Sequence, residues 1–311
     1  MHDHAAFLAA IVAAPDDDLP RLVYADWLDE QGQPERAEFI RVQCELERCG
    51  PDDDRRAALR SRESALLRRH LEAWAGELRT LPAVSEWHFR RGFLHRVTVV
   101  AQRFGQIAES LFRLAPTVRA LEFTQGSGSV EGLLRTPQLA KIGELGLSRM
   151  CTCGRCPILI ELRNLFASPL VANLTRLALA ADRMDPETTA ALVSSPHLTR
   201  LRSLDLSQNA LGLAGVRVLA AARTLGDLRE LNLSDNGISA SGGQVVARAP
   251  WLAGLRVLNL SRNRLSDTSG RALLNAEFSN ELERLELRTN ELSGEMKKHL
   301  KAKFGSKVVL K

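Results

Sequence analysis

From about residue 90 onward, leucines recur in one arrangement. Leu201-x2-Leu204-x-Leu206-x2-Asn209-x-Leu211 is repeated from Leu228, Leu255 and Leu282 at a constant spacing of 27, closing in Asn236-x-Ile238, Asn263-x-Leu265 and Asn290-x-Leu292. A weaker copy runs Leu174, Leu177, Leu179, Asp182, Met184, and degenerate ones fall at Ile142/Leu145/Leu147, Val118/Leu121/Phe123 and Leu94/Val97/Val99. Within each copy the x-Leu-x-Leu-x segment has period 2, which predicts a strand with its leucines on one face. After the Asn, a small residue follows six positions on (Thr188, Gly215, Gly242, Ser269) and an apolar one ten positions on (Leu192, Leu219, Val246, Leu273, Leu300). That half predicts a helix; in Ala214 to Ala222, Val218 and Leu219 are expected inward and Arg217 and Arg223 wet. One strand and one helix cannot bury their own leucine row, so neighbouring units must stack into a parallel-stranded solenoid.

The recurrent Asn has a physical reason. Where the chain leaves the strand and bends, backbone donors and acceptors come free in the interior, and an amide satisfies both kinds. Asp182 keeps only the acceptor when ionised, and Gln102, Gly126 and Met150 stand where the Asn would be, so the earlier turns are expected to be less regular. At the carboxy end, a helix over Gly294 to Lys303 directs Met296 and Leu300 inward, and Lys307 to Lys311 supplies Val308 and Leu310 as a last inward pair. The lysines there read as a solubilising cap on the open end of the stack.

The first 88 residues follow a helical pattern instead. Phe7, Leu8, Ile11 and Val12 share a helix face, Pro15 stops that helix, and Asp18 is placed to cap a second over Leu19 to Gln31, with Pro20 in its first turn and Gly32 beyond its end. Pro34 opens a third, ending near Cys49-Gly50, with Ala37, Ile40, Cys44 and Leu46 inward. A fourth, Asp54 to Leu78, offers Ala58, Leu59, Leu66, Leu67, Leu71 and Trp74. Tyr24 and Trp27 lie three apart on one helix face among Arg21, Asp26, Asp29 and Glu30. They suit either a recognition patch or the core; a short domain with few large apolar residues favours the core, with Arg21 or Arg36 pairing with acids at its edge.

The repeats quoted above resemble leucine-rich repeats, and the strand-plus-helix unit of 27 is similar to the ribonuclease-inhibitor subtype. The resemblance covers roughly residues 90 to 311 and implies an α/β horseshoe, with parallel strands concave and helices convex, of a kind usually used to bind proteins. Pro15-Asp16-Asp17-Asp18, Arg21 to Glu30, Gly32 and Arg36-Ala37-Glu38-Phe39-Ile40-x2-Gln43 resemble the bacterial repeat-companion domain. Phe89-Arg90-Arg91-Gly92-Phe93 is similar to the junction such proteins use before their first strand. That module brings no catalytic residues with it. The expected organisation is therefore a small all-helical companion domain over 1–50, a connecting helix and cap over 51–88, and the repeat array over 89–311.

Composition alters this picture little. Lys and Arg number 42 against 37 Asp and Glu, and the excess of +5 is carried by the six lysines after residue 295 set against Glu295. A basic tail is not a stripe across a binding face, so nucleic acid is not the expected partner. No apolar run is long enough to cross a bilayer, and Ala5 to Ala14 lacks a basic flank, so it is read as a helix and no membrane is expected. Five cysteines, at 44, 49, 151, 153 and 156, do not recur with the repeat, which speaks for a reducing cytoplasm.

Cys151-x-Cys153-x2-Cys156 falls in a longer unit, an insertion of the sort that maps to a loop. Three thiols are one ligand short of a structural zinc site and no second pair follows, so a metal-binding or redox-responsive element is the alternative reading there. No nucleophile elbow, zinc-protease helix or phosphate loop is present and the seven histidines are scattered, so no enzyme, cofactor or small-molecule substrate is expected. What remains is the outward face of the strands: Ser203, Asp205, Ser207, Glu230, Asn232, Ser234, Asn259, Ser261, Glu286 and Arg288. The row is small, polar and mildly acidic, suited to close approach by a protein partner, though a solvated repeat consensus would look alike. Replacing Asp205, Asn232 and Asn259 together by Arg is expected to spare folding, because those side chains point away from the leucines.

Overall fold

The computed structural model describes residues 2–50, 52–124, 130–150 and 158–310. The chain divides into two compact units, one of Met1–Val99 with Gln106–Leu121 and one of Val100–Gly105 with Glu122–Lys311.

The first unit opens with four helices, α1 (His2–Ala13), α2 (Leu19–Glu30), α3 (Pro34–Arg48) and α4 (Arg55–Ala75), followed by β1 (Val84–Arg90) and β2 (Phe93–Val100). Its core gathers Ile11, Tyr24, Ala25, Leu28, Ala37, Ile40, Cys44 and Phe93, with Phe7, Leu8 and Trp27 packed against it. Tyr24 stacks on Trp27 at 5.6 Å and its hydroxyl shares a 2.8 Å hydrogen bond with His4 Nδ1, so this pair serves packing.

Three expectations for this unit need correcting. Asp18 does not cap α2: its carboxylate lies 2.8 Å from Arg48 Nε, and Asp17 Oδ1 accepts the Leu19 N–H instead. Arg21 and Arg36 do not pair with acids at the edge. Arg21 donates to the carbonyls of Ala14, Pro15 and Asp17 and so ties the α1–α2 loop. Arg36 is enclosed by rings, its Cζ 5.0 Å from the centre of Trp74 and 5.5, 5.7 and 5.5 Å from those of Phe39, Phe89 and Phe93. Its Nη2 donates to the Gly92 carbonyl at 2.5 Å. Burial lowers the Arg36 pKa from its ordinary value, yet a guanidinium stays charged at neutral pH, so the quadrupoles of four rings stand where a carboxylate would. On α4, Ala58 and Leu71 are exposed, and Glu63 and Leu66 face inward.

Strand β1 has no counterpart in the sequence reading. It pairs antiparallel with β2, with register shifts between Val84 and Glu86 and between His88 and Phe89, and these bulges erase the period-2 signal. Gly92, in the turn between them, has φ +85°, and a Cβ there would lie 2.4 Å from Ile40 Cγ1 and 2.8 Å from its Cα. Only glycine fits.

Helix α5 (Phe104–Leu114) and β3 (Ala120–Thr124) run across the division in sequence. The second unit continues with α6 (Glu131–Leu134), β4 (Glu144–Gly146), α7 (Ile158–Phe166), β5 (Arg176–Ala178), α8 (Pro186–Val193), β6 (Ser203–Asp205) and α9 (Gly212–Ala220). Then come β7 (Glu230–Asn232), α10 (Ala240–Ala247), β8 (Val257–Asn259), α11 (Asp267–Leu274), β9 (Arg284–Glu286), α12 (Gly294–Phe304) and β10 (Val308–Val309). From β4 to β10 every strand pairs in parallel with the next, and Leu145, Leu177, Leu204, Leu231, Leu258 and Leu285 stand in one register. This is an α/β solenoid. Its leucine rows are buried, and Met296, Leu300, Val308 and Leu310 are buried as well. In α9 the buried pair is Val216 and Leu219, with Val218 half-buried, because the helix begins at Gly212 and turns positions 215, 216 and 219 inward.

The asparagines form a ladder. Asn236 Oδ1 accepts from the N–H groups of Asn209 (3.2 Å) and Leu211 (3.2 Å) in the preceding unit, while its Nδ2 donates to the carbonyls of Leu206 (2.9 Å) and Ser234 (3.1 Å). Asn263 repeats this with Asn236 and Ile238, and Asn209 with Asp182 and Met184. Asp182 accepts from Met150 N at 2.7 Å, the acceptor half of the same arrangement. The residue before each ladder position, Met150 included, is left-handed: Arg149, Ala181, Gln208, Asp235, Arg262 and Thr289 have φ between 54° and 62°. The small helix residues are explained by crowding, since a Cβ on Gly215 would lie 2.9 Å from Leu211 Cβ and one on Gly242 2.7 Å from Ile238 Cγ2.

Candidate protein-binding face

The side chains that alternate with the buried leucines stand in register across β6 to β9. One row is Ser203, Glu230, Val257 and Arg284, and the next is Asp205, Asn232, Asn259 and Glu286. Just beyond the strands, Ser207, Ser234, Ser261 and Arg288 follow in the same order, linked through backbone bonds such as Gln208 N to the Ser234 carbonyl. Strand register thus brings the residues singled out in the sequence onto one face.

Their surroundings differ by row. Glu230 and Arg284 are exposed, and Ser203 donates to Glu230 Oε2 at 2.9 Å. Asp205, Asn232, Asn259 and Glu286 are half-buried. Asp205 Oδ1, Asn232 Oδ1 and Asn259 Oδ1 accept the N–H of Ser207, Ser234 and Ser261 at 2.9, 3.1 and 3.0 Å, so each fixes the chain as it leaves its strand. These side chains are consequently not free of structural duty, and tripling Arg at them removes three hydrogen bonds that the sequence alone does not reveal. Ser207 and Ser261 are buried and Arg288 is exposed. Glu286 pairs with Arg284 at 2.7 Å, which compensates part of the acidity the row shows on paper. Arg284 itself escaped the sequence reading; the signal was present, since the same period 2 extends one step earlier in the strand.

Cys151, Cys153 and Cys156 lie outside the described residues. Among the described residues no three His, Cys, Asp or Glu side chains cluster to hold a metal ion, and Cys44 and Cys49 are buried free thiols. Burial, followed by the nearby Asp18 carboxylate, pushes the Cys44 thiol up to about 12, which makes it unreactive near neutrality.

Comparison with known proteins bears on the same segment. A family model described as "Leucine Rich repeat" matches residues 196–220, 227–247 and 255–274. The solenoid is built of leucine-rich repeats. Among solved structures, an internalin from Listeria monocytogenes is similar at 19% identity, over 63% of this chain and 68% of that one, with a TM-score of 0.29. No curated protein matches the chain in sequence. Leucine-rich repeats are commonly scaffolds for protein–protein interaction, because stacked units present one extended row of side chains. Among the described residues no helix is long and apolar enough to cross a membrane.

Proposed function

We propose that the leucine-rich repeats act as a non-enzymatic scaffold that binds a protein partner through the outward face of β6 to β9. The observation that carries the reading is the register of Ser203, Glu230 and Arg284 beside Asp205, Asn232, Asn259 and Glu286, a polar surface several strands wide above a wholly apolar one. Ser207, Ser234, Ser261 and Arg288 extend it. Small side chains in the middle allow close approach, while Glu230, Glu286, Arg284 and Arg288 supply charge at both signs for selecting a partner. The same reading takes the 27-residue unit as ribonuclease-inhibitor-like and residues 1–50 as a bacterial companion module followed by a cap over 51–88. It takes the protein as cytoplasmic, a view supported by the two free buried thiols.

The test uses exposed charges that do not hold the backbone. Glu230→Arg with Arg288→Glu is compared in quantitative capture with wild type and with Lys298→Glu/Lys301→Glu on α12. A partner lost only from the strand variant supports the scaffold; retention of the same partners by all three proteins overturns this face as the site.

A further inference from the structure

Among the described residues four large apolar side chains are exposed, and two of them, Leu19 (64%) and Val23 (46%), stand one turn apart on α2. Asp26 and Glu30 continue the same stripe at steps of three and four residues, so its first half is apolar and its second half acidic. Asp29 and Glu30 sit in the last turn of α2, which holds no basic residue, and they add to the negative end of the helix dipole. One guanidinium, Arg41, answers both Asp26 and Asp29, and Glu30 has no ion-pair partner among the described residues.

The complement lies in the same layer of helices. Helix α3 packs against both α2 and α4. Arg41 reaches from α3 to Asp26 and Asp29, and Arg62 reaches from α4 to Glu38, at 2.5 to 2.7 Å, so these faces of the three helices turn the same way. Helix α4 carries six arginines against two glutamates. Seven residues beyond Arg62, and so on its face, Arg69 is exposed and has no ion-pair partner among the described residues. Trp74 packs on Phe39 at 4.7 Å, which sets the Arg69 end of α4 beside the start of α3, where Glu30 ends α2. At the other end Arg48 holds Asp18, next to Leu19, and Arg56 donates to the Cys49 carbonyl, which brings the small, exposed Ala58 level with Leu19 and Val23.

We propose that this layer binds a second copy of this chain about a two-fold axis parallel to α3. That axis lays α2 of each copy over α4 of the other, so Glu30 meets Arg69 of the second copy at two equivalent contacts, and Leu19 and Val23 close on Ala58 of the second copy. A two-fold axis across the helices instead sets α2 on α2 and opposes acid to acid, which is repulsive. The contact is independent of the strand face, and the dimer carries that face twice.

The experiment is sedimentation equilibrium of the full chain from about 1 to 200 µM at low salt, where the mass is expected to rise from one chain to two, with about tenfold or more weaker association in about 0.5 M salt. Glu30→Arg and Arg69→Glu each place like charges at both contacts and should each weaken the dimer about tenfold or more. Both positions are exposed and unpaired, so folding does not depend on them. An equimolar mixture of the two variants restores opposite charges at both contacts and should associate about as tightly as wild type, a result that no effect within one chain imitates. Wild type that stays monomeric at about 200 µM overturns the proposal and leaves the face to a different protein. Single variants that dimerise as wild type does, or a mixture no tighter than its components, overturn it as well.

Discussion

Arg36 and Asn236 both bring polar groups into packed surroundings, and they differ in company. Arg36 sits among Phe39, Trp74, Phe89 and Phe93 in an arrangement that occurs once among the described residues, in the first unit. Asn236 sits in the second unit with Asn209 and Asn263 repeating its bonds at a spacing of 27. Uniqueness makes a contact invisible to pattern reading, because nothing in the chain echoes it. Repetition does the reverse, since the same physical requirement selects the same residue at every turn.

The comparison can be broken first at the ladder. Asn236→Ala leaves the N–H groups of Asn209 and Leu211 without their acceptor in a dry interior, while the Leu206 and Ser234 carbonyls keep the donors Asn209 Nδ2 and Gln208 N, and at roughly 2 kcal/mol for each orphaned donor this should cost about 4 kcal/mol. Equilibrium urea unfolding measures it, and a loss below about 1 kcal/mol would mean that water enters the turn and the ladder is not needed.

In the first unit the matching experiment is Gly92→Ala, where a Cβ meets the Ile40 side chain and backbone at positive φ. About 3 kcal/mol of destabilisation is expected, with loss of amide protection around Trp27, Trp74 and Trp87 before the repeats open. Uniform loss across both units would show that they do not behave as separate cooperative blocks.

How far the molecule was readable follows the same division. The strands, the asparagine turns and the alternation that sets the outward-facing residues were legible because each recurs with period 2 or 27. The first four helices were legible from Pro15, Pro20, Gly32 and Pro34, which punctuate the chain locally. Strand β1 was not, since two bulges break its alternation. The cage around Arg36 joins residues that stand far apart in sequence, and no local spacing encodes it. On the face, the bonds from Asp205, Asn232 and Asn259 to the backbone two residues on were hidden because an Asx turn and a binding side chain use the same residue types.

Two substitutions should improve the array, each by about 1 kcal/mol. Thr289 is β-branched yet left-handed at φ 54°, so Thr289→Gly should relieve strain by about that amount net of its entropy cost, read as a raised melting temperature. Asp182→Asn should add about as much by giving its turn the donors that Asn209 directs at the Leu179 and Leu206 carbonyls. Destabilisation by Asp182→Asn would show that this turn needs a carboxylate, and that its departure from the ladder is functional in its own right.

The smallest effect concerns acid. Asp267 Oδ1 accepts the Ser293 N–H at 2.9 Å, and that bond holds its carboxyl below the usual carboxylate range. A lowered folded pKa stabilises above the unfolded value and is lost as pH falls through the folded one, so stability should decline below about pH 4. Asp267→Asn should flatten that decline; identical acid limbs in the two proteins would remove Asp267 as a contributor.

The direction of the ladder has a consequence for heredity. Each Asn Oδ1 receives from the unit before it and each Asn Nδ2 reaches back to that unit's leucine carbonyl, so one repeat is bonded to the next by terms that name no particular neighbour. A stretch of 27 codons copied or deleted in frame leaves every such bond with an equivalent partner, and the longer step from Met150 to Asp182 keeps its bond as well, so extra length is taken up between the turns. The number of rows on the face is therefore a quantity that recombination can change in whole steps, without redesigning the interior or either end.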